Sequence, residues 1–259
     1  MKKSPGLELA KKKLQKIANV VLVASGKGGV GKTMISSAIA LSLARMNFKT
    51  GILDADLHGP SLHKILNCEF PAKSGAEGII PCTIYGLKFM SIAFFVNENT
   101  PLPIRGDAKA SLVRDLFVQT DWGELDYLVV DLPPGTGDEV LSLLTMFDPK
   151  GRAVIVSTPS LLSISVVERL INLLKREGVP IIGLIENMSY VYHDGEKIHL
   201  FKCSSSKILS RKYDIKFLGA LPLDPGVEEA IVNGGTPLDS KLFAKEFRPI
   251  MKKIIEIIG

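Results

Sequence analysis

Residues Gly26 to Thr33 read Gly-Lys-Gly-Gly-Val-Gly-Lys-Thr and follow closely on the apolar run Val20 to Ala24. The spacing fits the phosphate-loop pattern G-x-x-x-x-G-K-[ST] set between a buried strand and a helix. Glycines at 26, 28, 29 and 31 let the backbone curl so that successive N–H groups point at phosphate oxygens. Lys32 supplies a cation, and the Thr33 hydroxyl can join a magnesium shell. The whole stretch, Gly26, Lys27, Gly28, Gly29, Val30, Gly31, Lys32 and Thr33, is the expected nucleotide contact.

The same letters satisfy G-x-G-x-x-G through Gly26, Gly28 and Gly31, with Asp54 ending the next strand-like run where a dinucleotide fold places its ribose-binding acid. Lys32-Thr33 decides between the two. A dinucleotide site has no use for a lysine and a hydroxyl at the helix start, whereas a triphosphate with metal needs both.

Outward from this loop, short apolar runs alternate with helical patterns: Val20 to Ala24, Gly51 to Leu53, Tyr127 to Asp131, Ala153 to Ser157, Ile181 to Ile185 and Phe217 to Ala220 read as buried parallel strands. Helices are expected over Lys32 to Met46, Ala108 to Gln119, Asp138 to Phe147, Leu162 to Arg176, Ser204 to Lys212, Glu228 to Val232 and Lys241 to Ile258. Such alternation predicts an α/β fold, a doubly wound and mostly parallel sheet with helices on both faces. Gly78 to Ala93 interrupts it and reads as a small inserted β-hairpin around Tyr85-Gly86. Leu57 to Ser61, Asn97 to Asp107 and Leu132 to Gly137 read as loops.

The chain has 259 residues, 46% of them hydrophobic, enough for one sizeable core, so a single domain over 19–259 is expected behind a basic extension at 1–18. Lys2, Lys3, Lys11, Lys12, Lys13 and Lys16 carry much of the formal charge of +5. A solvated helix face accounts for them, and a phosphate-rich or acidic partner is the alternative. No stretch approaches the length of an apolar membrane span, and the start of the chain lacks the apolar region of a signal peptide, which points to the cytoplasm. Cys68, Cys82 and Cys203 are odd in number and widely spaced, so reduced thiols are expected, small and buried at 68 and 82.

Two acidic stretches complete the expected site. Asp131 ends a buried strand and can hold water on the metal bound by Thr33, while Gly135 in the following Pro133-Pro134-Gly135-Thr136-Gly137 loop can bring its N–H near the terminal phosphate. Asp54 and Asp56 lie at the next strand's end. Asp56 is expected to orient the attacking water, and Asp54 to support the loop or the metal's outer shell. Lys27, a second ammonium in the loop, suits a triphosphate in a facing subunit and so implies a homodimer.

Together SGKGGVGKT, DADLHGPS, DWGELDYLVVDLPPGTGD, ENMS and LPLDPGVEEA resemble the Mrp/ApbC type of the MinD/ParA ATPases over Val20 to Leu238. The resemblance implies ATP with Mg2+, slow hydrolysis, dimerisation with Lys27 crossing the interface, and base contacts from Asn187 and the Leu221 to Pro225 segment, including Pro222 and Asp224. It also implies carriage of an iron–sulfur cluster on a C-x-x-C after ENMS, handed to apo-protein or scaffold partners. That motif is missing. The chain there reads YVYHDGEKIHLFKCSSS, with His193 and Glu196 in place of the thiolates and only Cys203 nearby. One thiolate per subunit gives two in a dimer, short of the four a typical cluster takes. His193, His199 and Cys203 form a weak metal pattern.

A different class of function, a MinD/ParA-like ATPase acting in spatial organisation on membrane or DNA, would use Lys241 to Ile258 as its handle. Phe243, Phe247, Ile250, Ile254 and Ile258 recur there at helical spacing between basic residues. Packing of that stripe against the sheet is the commoner fate.

Overall fold

The computed structural model describes residues 5–57, 59–69, 73–95 and 106–259. Helix α1 (Pro5–Leu14) leads into β1 (Ile17–Ser25), which runs into α2 (Lys32–Arg45), β2 (Thr50–Asp54) and a one-turn α3 (Leu62–Ile65). Four short strands follow: β3 (Lys73–Gly75), β4 (Gly78–Ile80), β5 (Cys82–Ile84) and β6 (Leu87–Ser91). Beyond them come α4 (Gly106–Gln119), β7 (Leu125–Asp131), α5 (Asp138–Phe147), β8 (Gly151–Ser157), α6 (Ile164–Arg176), β9 (Ile181–His193) and β10 (Glu196–His199). The chain closes with α7 (Ser205–Tyr213), β11 (Phe217–Pro222), α8 (Pro225–Val232) and α9 (Lys241–Ile258).

The main sheet runs β10-β9-β8-β1-β7-β2-β6-β5, with β11 also paired to β9. Its middle strands are parallel, and β1 lies between β7 and β8. Val20 to Ala24 are all buried there, as an unbroken apolar run must be when helices cover both faces of a parallel sheet. One face packs α1, α4, α5, α6 and α7 through Leu14, Phe117, Phe147, Leu170 and Leu209. The other packs α2, α3 and α9 through Ile39, Leu62 and Phe247. The fold is therefore the doubly wound α/β architecture the sequence predicts. Its loop Asn97 to Asp107 lies almost wholly outside the described residues.

Three features differ from expectation. The hairpin at Tyr85-Gly86 forms between β5 and β6, but β6 also pairs in parallel with β2, so it extends the main sheet instead of being an insert. Lys73 to Ile80 add a separate hairpin, β3 with β4. Cys68 and Cys82 are not reduced thiols. They are joined as a disulfide, leaving Cys203 free. The turn after α3 and the start of β5 meet in one apolar cluster, a proximity that sequence spacing does not reveal.

Candidate nucleotide-binding site

The carboxyl ends of β1, β2 and β7 place Ser25, Asp54 and Asp131 along one edge of the sheet, where open α/β folds bind ligands. The loop from Gly26 bends back over that edge. Gly29 and Gly31 adopt positive φ of 74° and 81°, conformations costly for any residue with a Cβ. The loop delivers the chain to α2, whose N-terminus no side chain caps. Its first-turn N–H groups are thus oriented for an anion. Ser25 Oγ donates to the Lys27 carbonyl at 3.0 Å and holds the loop's shoulder.

Asp131 is the hub of the site. Thr33 Oγ1 donates to its Oδ2 at 2.8 Å, Ser36 Oγ to its Oδ1 at 2.6 Å, and Lys32 Nζ stands 2.8 Å from Oδ1. Lys32 is almost wholly buried, and its ammonium makes no hydrogen bond despite that ion pair. An ammonium has three N–H donors, and a phosphate in the loop would take those that the carboxylates leave. Asp56 Oδ2 lies 3.7 Å from the same nitrogen.

Lys32, Thr33 and Asp56 line a cavity of about 340 Å³ with Lys27, Gly28, Gly29, Gly31 and Pro134. A Cβ added at Gly28 or Gly29 would touch nothing in the protein, so the space beside this part of the backbone is open. Basic nitrogen, free first-turn amides and an adjoining hydroxyl and carboxylate fit a nucleotide's phosphates and a divalent cation.

Asp54 is fully buried and looks inward. Its Oδ1 accepts from the Asp56 N–H at 3.2 Å and its Oδ2 from Ser91 Oγ at 3.0 Å and the Leu62 N–H at 3.4 Å. Burial raises its pKa and the neighbouring Asp131 carboxylate pushes the same way, while Lys32 and the two shorter hydrogen bonds oppose them. Both oxygens are committed to the loop that carries Asp56. Gly135 also differs from its expected pose: its N–H donates to the Ser25 carbonyl at 2.8 Å, tying the two loops together, and Pro134 borders the phosphate space in its place.

Asn187 is fully buried and braces the phosphate loop, its Nδ2 donating to the Val30 carbonyl at 2.9 Å while Oδ1 has no partner. A Cβ on Gly31 would stand 2.2 Å from that same Nδ2, so the approach depends on glycine. Asp224 caps α8 through the Gly226 N–H at 3.0 Å and receives the Ser240 hydroxyl and Phe243 N–H from the start of α9. Pro222 ends β11 beside Tyr190.

Sequence reasoning missed Ser36, Ser91 and Glu186. Ser36 was detectable, since it lies four residues after Lys32 and three after Thr33 on one helix face. Glu186 is buried and accepts from Ser189 Oγ, Ser204 Oγ and the Ser206 N–H, fixing the start of α7.

The segment where a C-x-x-C was sought is a tight hairpin. Strand β9 continues unbroken to His193 and turns through Asp194 and Gly195, both at positive φ (49° and 81°), into β10. A two-residue turn of this hand suits Asp-Gly, and it leaves no knuckle for thiolates. His193 is exposed and pairs with Asp194. Among the described residues no group of three or more His, Cys, Asp or Glu is placed to hold a metal ion. The residues present do not fit a cluster.

Comparison with known proteins settles the lineage. The family model for NUBPL-type iron-transfer P-loop NTPases, within the ParA group, matches residues 16–258. The chain belongs to this iron-transfer P-loop NTPase family. Among relatives of this family, the iron–sulfur cluster transfer protein NUBPL of Dictyostelium discoideum is 40% identical across 96% of the chain and 79% of its own length. The iron–sulfur cluster carrier protein of Methanocaldococcus jannaschii is 38% identical across 94% and 86%. An Archaeoglobus fulgidus nucleotide-binding protein solved with ADP superposes with a TM-score of 0.81 at 35% identity, covering 93% of this chain and 96% of that one. The cell-division ATPase MinD of Pyrococcus furiosus shares the fold, with a TM-score of 0.70 at 20% identity over 92% and 99%.

Proposed function

We propose that this chain is a slow, homodimeric ATPase that acts in iron–sulfur cluster assembly or transfer, with cluster thiolates supplied by partner proteins. The observation that carries the nucleotide reading is the buried Lys32 ammonium, without a hydrogen bond, at the base of an open cradle of glycine amides. In this reading Lys32 and the Gly28 to Thr33 amides hold the phosphates of ATP. Thr33 and Asp131 hold Mg2+, with Asp54 behind them as support for the loop. The metal, when bound, neutralises charge on the phosphates.

Asp56 orients the attacking water from the loop that Asp54 fixes. Lys27 is exposed, and among the described residues no carboxylate is paired with it. It reaches the nucleotide of a second copy and offsets charge developing on the transferred phosphoryl group. In this reading Asn187, through its unpartnered Oδ1, and the Leu221 to Pro225 segment contact the base.

The relatives' names point to iron–sulfur carriage, and the hairpin at Asp194-Gly195, which carries no thiolate pair, supports giving this chain the nucleotide-driven part of that process. Apo-proteins or scaffolds bearing cysteines are its partners. A membrane or DNA role draws no support from α9, since Phe243, Phe247, Ile250, Ile254 and Ile258 are buried against the sheet. Among the described residues no helix is long and apolar enough to cross a membrane.

Calorimetry with ATP and Mg2+ tests the reading. The wild type is expected to bind, and Lys27→Ala to bind normally while its turnover falls at least about 100-fold, the scale of one lost transition-state donor. Folded wild-type protein that takes up no ATP would refute it.

A further inference from the structure

Helix α9 buries its apolar stripe and turns a line of cations outward. Lys241, Lys245, Arg248 and Lys252 are exposed, and their spacings of four, three and four residues set them along one side of the helix. At 1.5 Å per residue the line is about 16 Å long. Among the described residues none of these four cations is paired with a carboxylate. Glu246 is turned away to Tyr190, Tyr192 and Lys197, and Glu256, one turn beyond Lys252, ends the line.

Beside the line, between the end of α2 and α9, lies a cavity of about 200 Å³ lined by Arg45, Met46, Leu238, Phe247, Arg248 and Met251. Arg248 belongs to both features. Arg45 is held at the rim by Asp239, 3.0 Å away, and Met46 is 48% exposed. The volume falls below the roughly 300 Å³ at which small-molecule pockets begin, and suits one side chain. Arginine, methionine and aromatic residues are the types enriched at protein contacts. Helix α2 separates this face from the phosphate loop by its own length, about 20 Å.

We propose that this face docks an acidic helix of another protein, with carboxylates along the Lys241 to Lys252 line and one apolar side chain in the cavity. Charge selects the occupant, because four cations without counter-charges disfavour burial against a neutral or basic surface. A second copy of this chain would bring the same four cations and be repelled. A bilayer needs an apolar face to enter it, and Phe243, Phe247, Ile250 and Ile254 are buried in the core. A nucleic-acid backbone would meet the cations and leave the apolar cavity unfilled. The inference stands apart from the nucleotide reading.

Fluorescence anisotropy of the full chain tests this with a labelled three-turn helical peptide that carries glutamates on one face and a single phenylalanine beside them. The peptide is expected to bind the wild type, and more weakly as salt is raised. Lys245→Glu/Lys252→Glu in the protein should weaken binding at least about tenfold, and so should exchanging the peptide's phenylalanine for alanine. An unchanged melting curve shows that the variant is folded. A wild type that does not bind the peptide, or an affinity that survives either change, would overturn the inference. Tighter binding of phosphatidylserine-containing vesicles or of a short DNA duplex through the same lysines would also overturn it, and give the face to lipid or nucleic acid.

Discussion

Replacing Gly31 with alanine probes the contact on which the phosphate loop depends. Gly31 sits at φ 81°, and a Cβ there would lie 2.2 Å from Asn187 Nδ2, with the next atoms at ordinary contact distances of 3.5 and 3.6 Å. Two costs follow. The left-handed backbone conformation costs alanine about 1 kcal/mol over glycine. The clash expels the Asn187 amide from its bond to the Val30 carbonyl, leaving buried polar groups unpaired at about 1–3 kcal/mol.

Gly31→Ala should therefore destabilise the protein by about 2–4 kcal/mol. Asn187→Ala removes the amide and should cost about 1–3 kcal/mol alone. In the Asn187→Ala background the added methyl finds space, so Gly31→Ala should then cost only the backbone term, about 1 kcal/mol. Urea unfolding of the four proteins gives this coupling directly. Equal costs of Gly31→Ala in the two backgrounds would refute the steric argument, and the role of Asn187 as a brace would fall with it.

Two further outcomes follow from the packing around the hairpin. Burial raises Glu246, but hydrogen bonds from Tyr190, Lys197 and Tyr192 outweigh it and hold the carboxyl below its usual range. A depressed carboxylate stabilises above its unfolded pKa, near 4.5, and loses that contribution as pH falls through the lower folded value. The stability gap between wild type and Glu246→Gln should thus be flat from about pH 5.5 to 7 and close as pH falls below about 4.5; a gap that widens on acidification would contradict the assignment. Phe247→Ala should cost about 3–5 kcal/mol in urea unfolding, because the ring is buried and stacks on Phe243 with centroids 5.4 Å apart. A lipid-facing residue would show almost no loss in solution.

The parts of this site that chemistry forces to be contiguous are readable along the chain. A phosphate needs several amides from one curled segment, so Gly26 to Thr33 stand together, and Asp131 is found because a buried apolar strand ends in a carboxylate. The supports are different in kind. Ser91 reaches Asp54 only because β6 lies against β2 in a register pairing those residues, and no local pattern encodes that register. Cys68 and Cys82 pair by the same tertiary route. Strand β9 was read as ending at Ile185 because Glu186, Asn187 and Ser189 break the apolar run, yet each of those polar groups is buried and hydrogen-bonded within the fold.

That misreading hid a mechanical fact, since the brace and the hairpin belong to one strand. Asn187 holds the Val30 carbonyl, Glu186 fixes the first turn of α7, and Tyr190 and Tyr192 reach Glu246 on α9, all from the stretch of β9 between Glu186 and Tyr192. Met188, at φ 56°, marks the irregularity between them, beside the Ser189 hydroxyl that completes the Glu186 cluster. Close-packed interiors do not deform smoothly. A change of loop conformation with nucleotide must then either break the Asn187 bond, at the cost of a buried amide, or carry β9 and its hairpin with it. The hairpin carries no C-x-x-C, yet through β9 it is joined mechanically to the phosphate loop.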